Sequence, residues 1–148
     1  MRLTNRAKRP ARSHRSMPAA IAKGYQRYLK IALALPGTAA FGSPCDRVFD
    51  TPSVKVRGKL LSRWRTEAEG ALAIRCDFLD RQILLVSQPE VFFVTDHYLN
   101  YPMVLVRLDK VSAEVLRDVT ERGWRFVAPR KLVKEREALQ GTTQSRKR

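Results

Sequence analysis

The chain has 148 residues, 44% of them hydrophobic, which suits one folded domain with polar ends. Its 29 basic and 14 acidic residues give a formal net charge of +15, which favours polyanionic partners. No run approaches the roughly 20 apolar residues of a membrane span, and no apolar segment follows the basic start, so we expect neither a membrane protein nor a secretory signal. With no sign of secretion, we expect a cytoplasmic protein with reduced cysteines.

The two ends of the chain concentrate its positive charge. Residues 1–17 are polar, basic and poor in large apolar side chains, and they predict a disordered arm. Residues 138–148 predict a second disordered basic tail, so the single domain would span 18–137. Outside 1–18 and 138–148 the chain keeps 20 basic and 14 acidic residues, so the body is moderately basic. The arm is either a nucleic-acid-binding tail or a solubilising extension.

Apolar residues at helical spacing predict a first helix between residues 18 and 35. They are Ile21, Tyr25, Tyr28, Leu29 and Ala32. Pro36 ends the helix, because the residue before a proline avoids the α region. We expect the tyrosines to pack in the core and residues 38–46 to form a loop.

Residues 54–65, VKVRGKLLSRWR, predict a β-hairpin. Gly58 can adopt the positive φ of a two-residue turn, so we place the turn at Gly58-Lys59. In the first strand the valines alternate with basic residues, as in a half-buried strand. In the second strand the same alternation would set Leu60 and Trp64 on the core face and Leu61, Arg63 and Arg65 on the other.

A third alternating run over 71–76 predicts the next antiparallel strand, after an acidic turn at 66–70. It places Leu72, Ile74 and Cys76 on the core face and Ala73 and Arg75 on the opposite face. A shorter run over 47–50 is either a separate strand or the start of the first hairpin strand, because Pro52 interrupts it.

The second half of the chain alternates helices with short strands. Asp77 predicts the N-cap of a helix to residue 88, 91–94 a short strand or buried turn, 96–102 a loop and 103–108 a strand. Ser112 predicts the cap of a further helix that ends before Pro129 and that Gly123 weakens. Its apolar stripe is Val115, Leu116, Val119, Phe126 and Val127. Residues 130–140 predict one more helical piece.

This order predicts an α+β fold: a helix, three antiparallel strands, a helix, one or two strands and a helix. A single sheet would be covered on one face by the helices. The opposite face would be open to water or to a partner.

Six segments in this order resemble the MmcQ/YjbR family: LPGT (35–38), VKVRGK (54–59), LAIRCD (72–77), PEVFFVT (89–95), VLVRLD (104–109) and WRFVAPRKL (124–132). Together they cover about residues 20–134. The resemblance implies a fold similar to the type III secretion chaperones, and it implies a DNA-binding protein. Met103 and Gly123 depart from the residues that the family most often has there, and Gly123 implies a looser last helix.

No motif in the sequence indicates an enzyme, a cofactor or a metal centre. His14 and His97 stand far apart, and Cys45 and Cys76 form no CxxC pair, whereas a zinc site needs about four converging ligands. There is no P-loop, GxGxxG or GxSxG motif. We therefore predict a non-catalytic protein without a cofactor.

The basic residues of the predicted hairpin and sheet face make nucleic acid, DNA above all, the first candidate partner. Their contacts would be with phosphates, and the binding weak and largely non-specific. The candidate binding residues are Lys55, Arg57, Lys59, Arg63, Arg65, Arg75, Arg130 and Lys131. The alternatives are a protein-interaction or chaperone-like module that binds an acidic partner, and a basic surface that is only solvated. We expect a monomer, and a small ligand near residues 98–103 stays open.

Overall fold

A computed structural model describes residues 19–42, 52–65 and 71–145 of the chain. These residues form four helices and one antiparallel sheet of six strands, which confirms the α+β class. In chain order the elements are α1 (Ala19–Leu33), β1 (Thr38–Phe41), β2 (Ser53–Val56), β3 (Lys59–Arg65), β4 (Ala71–Arg75), α2 (Phe78–Ser87), β5 (Phe92–Phe93), β6 (Met103–Val106), α3 (Ala113–Val127) and α4 (Arg130–Ser145). The strand order across the sheet is β1-β2-β3-β4-β6-β5.

Helices α2 and α3 begin at the caps that the sequence predicts. The Asp77 side chain accepts a hydrogen bond from the backbone N–H of Leu79 at 2.7 Å, and Ser112 Oγ accepts one from Val115 at 3.2 Å. Each bond satisfies a donor that the first turn of a helix leaves without an intrahelical partner. The last helix is longer than predicted, because α4 continues to Ser145 rather than ending at residue 140, and residues 138–145 of the predicted disordered tail are helical.

The turn between β2 and β3 lies one residue earlier than predicted. Val56 pairs with Lys59, so the two turn residues are Arg57 and Gly58. Both have positive φ, 48° and 83°, as a type I′ hairpin turn requires. Arg57 therefore belongs to the turn and not to the basic face of the first strand, and its backbone N–H donates to the Gly37 carbonyl at 3.0 Å.

A β-bulge in β3 overturns the predicted assignment of two leucines. Ser62 pairs with Val54 and Leu60 pairs with Lys55, so Leu61 is the extra residue. The bulge shifts the alternation by one position. Leu61 joins Trp64 in the core beneath the helices, whereas Leu60 packs on the opposite face of the sheet.

The edge strand β1 lies where the sequence predicts a loop. Residues 38–41 pair antiparallel with β2, Thr38 opposite Val56 and Phe41 opposite Ser53. The segment TAAF shows no apolar alternation, because three of its four residues stay exposed and packing imposes no pattern on them. Its pairing with β2 makes it a strand.

The main core lies between the helices and one face of the sheet. Side chains from all four helices meet the inward residues of the strands there, and Tyr25 and Tyr28 are buried among them as predicted. The Tyr28 hydroxyl donates a hydrogen bond to Ser62 Oγ, which gives the buried polar atoms of both residues a partner. Phe126 is the exception in the predicted stripe of α3, since it is 45% exposed.

The opposite face of the sheet is not uniformly open. Ala71, Ala73 and Leu105 are fully buried there, in a second apolar cluster with Met103 and Tyr98. The sheet face is therefore covered over β4 and β6 by the segment that contains Tyr98, a single 3₁₀ turn (Asp96–Tyr98) between β5 and β6.

The buried guanidinium of Arg81 holds the segment between β5 and β6 by hydrogen bonds. Arg81 of α2 donates hydrogen bonds to the carbonyl oxygens of Tyr98, Leu99, Tyr101 and Met103, at 2.8–3.3 Å. Four charge-assisted bonds to carbonyls of one short segment explain how a cation is buried there without a carboxylate.

Several predictions lie outside the described residues: the arm 1–17, the strand 47–50, the turn 66–70 and Cys45. Within the described ranges, none of the helices combines the length and apolar character needed to span a membrane.

Candidate nucleic-acid interface

The candidate interface is the sheet face opposite the helices. Lys55 lies on it because its neighbours Val54 and Val56 point into the core, and Arg63 and Arg65 lie on it because they pair with Ala73 and Ala71. Arg75 lies on the same side of β4 as Ala71 and Ala73. We call Lys55, Arg63, Arg65 and Arg75 the basic face. The sequence prediction placed all four on one face, and the structure does so too.

Three of the four cations of the basic face lie against aromatic rings. The Lys55 ammonium is 4.9 Å from the Phe41 ring centroid. The guanidinium carbon of Arg65 lies 5.4 Å from the Tyr98 centroid, and that of Arg75 lies 5.6 Å from the Phe126 centroid. Such contacts orient a cation without neutralising its charge.

The six strands contain no acidic residue, whereas they carry two lysines and three arginines. Within residues 19–42, 52–65 and 71–145, no carboxylate forms an ion pair with the basic face. The ion pairs of these residues lie instead on the helices. Arg125 contacts Glu121 and Glu137, and Arg122 contacts Asp118 and Asp80. Arg122, Arg125 and Arg136 of α3 and α4 thus have carboxylate partners, whereas within the described residues the basic face has none.

The other predicted binding residues lie beyond the basic face. Arg57 is in the β2–β3 turn and Lys59 begins β3, both exposed. Arg130 and Lys131 are exposed in the first turn of α4. That turn lies beside the hairpin, because a Cβ added at Gly37 would be 2.8 Å from Leu132 Cδ1 and 3.2 Å from Arg57 Nε. The structure thus brings these residues to one end of the sheet.

Sequence reasoning missed three members of this surface. Phe41 shares the face of its neighbour Lys55, but it lay in a predicted loop. Arg107 follows β6, and its guanidinium lies 4.1 Å from the Phe93 centroid. Arg107 directly follows Val106, whose side chain is in the core. Strand alternation would therefore have predicted Arg107 on the opposite side of the sheet. Phe126 was predicted in the core, and its contact with Arg75 has no signal in the sequence.

The described residues hold little reactive chemistry. Burial raises the pKa of the Cys76 thiol to about 12, and the nearby Asp80 and Asp77 carboxylates act in the same direction. A thiol with that pKa is protonated at neutral pH and is a poor nucleophile. Burial also raises the pKa of Tyr25 to about 12. Among the described residues, no three His, Cys, Asp or Glu side chains come together in a way that would hold a metal ion.

Comparison with known proteins adds relatives of unknown role. The chain is 38% identical over 50 residues to an uncharacterized protein of Mycobacterium tuberculosis and to one of Mycobacterium bovis. The aligned stretch is 34% of this chain, and the chain spans about two fifths of each relative, 39% of its length. No family model matches the chain, and no solved structure matches it. The resemblance to the MmcQ/YjbR family stays a prediction.

Proposed function

We propose that this protein binds nucleic acid, DNA first, through the phosphates that meet its basic face, and that it does so without catalysis. The observation that carries the proposal is the composition of the sheet, whose strands carry five cations and no acidic residue. Arg122, Arg125 and Arg136 on the helices form ion pairs, whereas Lys55, Arg65 and Arg75 lie against aromatic rings and have no carboxylate partner within the described residues. A lysine or arginine that neutralises a phosphate releases the counterion condensed there on the nucleic acid, and this release favours binding.

Contacts of this kind position a polyanion and do not read its sequence. The affinity is therefore weak, similar for different sequences, and steeply dependent on salt. Arg57, Lys59, Arg130 and Lys131 extend the positive surface at the hairpin end, and residues 1–17 add further charge. The resemblance to the MmcQ/YjbR family agrees with this function.

The test is fluorescence anisotropy of a labelled DNA duplex against the full chain over a series of salt concentrations. The double variant Lys55→Glu/Arg63→Glu reverses two charges of the basic face. We expect it to weaken binding strongly and to reduce the slope of log K against log salt by about 2. The matched control Lys30→Glu/Arg117→Glu makes the same charge change at two exposed residues of α1 and α3. We expect the control to keep the slope.

Equal losses in the two variants would mean that net charge alone drives the binding, and the basic face would not be the interface. A synthetic peptide of residues 1–18 separates the arm from the domain. If that peptide binds the duplex as tightly as the full chain does, the arm is the binding element.

A second function has its own observation. On α2, Leu79, Ile83 and Val86 recur at helical spacing and are 71%, 56% and 73% exposed. Exposed apolar stripes mark contact sites between proteins, which favours an interaction module whose basic face meets an acidic partner. Sedimentation of the full chain over a concentration range tests self-association through this stripe, and Ile83→Glu would then shift the protein towards the monomer.

A further inference from the structure

A pocket of about 360 Å³ lies at the hairpin end of the sheet, where β3 begins and β4 ends. Its walls are Lys59 and Leu60 of β3, Arg75 of β4, and Phe126 and Val127 from the last turn of α3. Small-molecule sites begin at roughly 300 Å³, so its size suits one small ligand or one unit of a polymer.

The pocket exists because α3 crosses the end of β4 at a glycine. A Cβ added at Gly123 would lie 2.5 Å from the carbonyl oxygen of Arg75, closer than any side chain tolerates. The absence of a side chain at Gly123 lets the helix approach the strand. Phe126, nearly one turn later, then projects beside Arg75 and forms a wall of the pocket.

The polar side of the pocket has the charge and the hydrogen-bond donors that suit an anion. The Arg75 Nε is buried and has no hydrogen-bond partner, although buried polar groups usually have one. Lys59 is exposed at the pocket, and none of the described residues that line it is acidic. A phosphate between Arg75 and Lys59 would be met by two positive charges and by the donors of the Arg75 guanidinium.

The apolar side of the pocket suits a flat ring. Phe126 is 45% exposed, although an aromatic side chain on a packed helix is usually covered. Leu60 and Val127 continue the apolar wall. A bare phosphate would leave this wall uncovered, whereas a nucleotide carries both a phosphate and a base.

We propose that this pocket accepts one unpaired nucleotide of single-stranded DNA, with its phosphate at Lys59 and Arg75 and its base against Phe126. The inference rests on the proposed function, because both cations belong to the predicted binding residues. It adds a preference for single-stranded over double-stranded DNA. A base inside a duplex is stacked and paired and does not reach a side-chain ring, so the pocket favours single strands.

The experiment compares two labelled single strands of about twelve units on the full chain at one salt concentration. One is oligothymidylate, and the other has the same phosphates but abasic sugars. In single-strand sites, a base stacked on an aromatic side chain adds to the affinity, and the abasic strand has no base to stack. We therefore expect the oligothymidylate to bind about tenfold more tightly. The Phe126→Leu variant removes the ring but keeps an apolar side chain, and we expect its two affinities to agree within about twofold.

The matched control is Phe78→Leu. Phe78 is 49% exposed, and its ring centroid lies 4.7 Å from the guanidinium carbon of Arg81, but it does not line the pocket. We expect this variant to keep the tenfold preference, and Arg75→Gln to weaken both strands. Melting temperatures of the variants show that each one is folded.

Different failures point to different errors. If the wild-type chain binds both strands equally, with a steep salt dependence, the pocket proposal is wrong and the basic face stands. If Phe41→Leu abolishes the preference and Phe126→Leu does not, the base lies elsewhere on the sheet. If thymidine monophosphate saturates the chain below about 1 mM and Phe126→Leu abolishes this, the site is for a free nucleotide and the strand proposal fails. If neither strand binds, the pocket proposal is wrong, and the duplex titration decides separately whether the basic face binds DNA.

Discussion

Trp124 of α3 donates its indole N–H to the carbonyl oxygen of Pro36 at 2.8 Å, across 88 residues of sequence. The indole is fully buried, and the bond ties α3 to the segment between α1 and β1. Gly37 follows in that segment with φ of 73°, and its carbonyl accepts the N–H of Arg57. One short connection thus joins α1, α3 and the β2–β3 turn.

We expect Trp124→Phe to lower the free energy of unfolding by about 2–4 kcal/mol. The change leaves the Pro36 carbonyl without its donor and opens a cavity beside the smaller ring, and the two costs add. Urea unfolding followed by far-UV circular dichroism measures the loss. An unchanged midpoint would show that the bond and the packing around it contribute nothing to stability.

Glycine-to-alanine changes at two helical positions should change the free energy of unfolding in opposite directions. At Gly123 the added Cβ would meet the Arg75 carbonyl oxygen at 2.5 Å, and we expect a loss of about 1–3 kcal/mol. At Gly141 of α4 nothing lies within 4 Å, and we expect a gain of up to about 1 kcal/mol from helix propensity. Thermal unfolding of both variants checks the pair. A stabilised Gly123→Ala protein would contradict the close approach of α3 to β4.

Arg81 should hold the chain between Tyr98 and Met103 in place. Replacing it by Met leaves four carbonyl oxygens without their shared donor, and we expect a loss of at least about 2 kcal/mol. Lysine keeps the charge but lacks the planar fork, so Arg81→Lys should recover only part of the stability.

The readout for Arg81 is local as well as global. The Met103 N–H donates to the Tyr101 carbonyl at 2.7 Å, and its hydrogen exchange should become faster in Arg81→Met. Exchange that stays as slow as in the wild-type chain would mean that β6, and not the guanidinium, holds this turn.

Glu121 should make stability depend on pH in the acid range. The hydrogen bond from Arg136 at 3.0 Å lowers the pKa of the Glu121 carboxyl below its ordinary value of 4.5, and the Gln140 amide and the Arg125 charge act in the same direction. Because the folded pKa is the lower one, the stabilisation is present above about pH 4.5 and is lost as the pH falls through the folded pKa.

We therefore expect Glu121→Gln to melt at a lower temperature than the wild-type chain at pH 7. The difference should shrink below about pH 4.5, where the wild-type carboxylate takes up its proton. Differential scanning fluorimetry from pH 7 to about pH 3 measures both curves. A difference that is constant over this range would show that the carboxylate charge is not what stabilises the contact between α3 and α4.

Elements that depend on local chemistry could be predicted from the sequence. The helical spacing of Tyr25 and Tyr28 identified the buried side of α1, and Asp77 and Ser112 marked the starts of α2 and α3, because a capping bond needs only residues two or three positions away. The alternation in β2 and β4 placed Lys55 and Arg75 on one face for the same reason, since a strand exposes every second side chain to the same side.

Features that depend on residues far apart in the chain could not be predicted in this way. The bulge at Leu61 follows from how β2 and β3 pair, and the edge strand β1 exists because β2 lies beside it. The contact between Arg75 and Phe126 needs α3 to cross β4 at Gly123. Periodicity records which side of an element is buried, but not which element lies against it. The pocket forms where α3, β3 and β4 meet, and therefore only the folded chain reveals it.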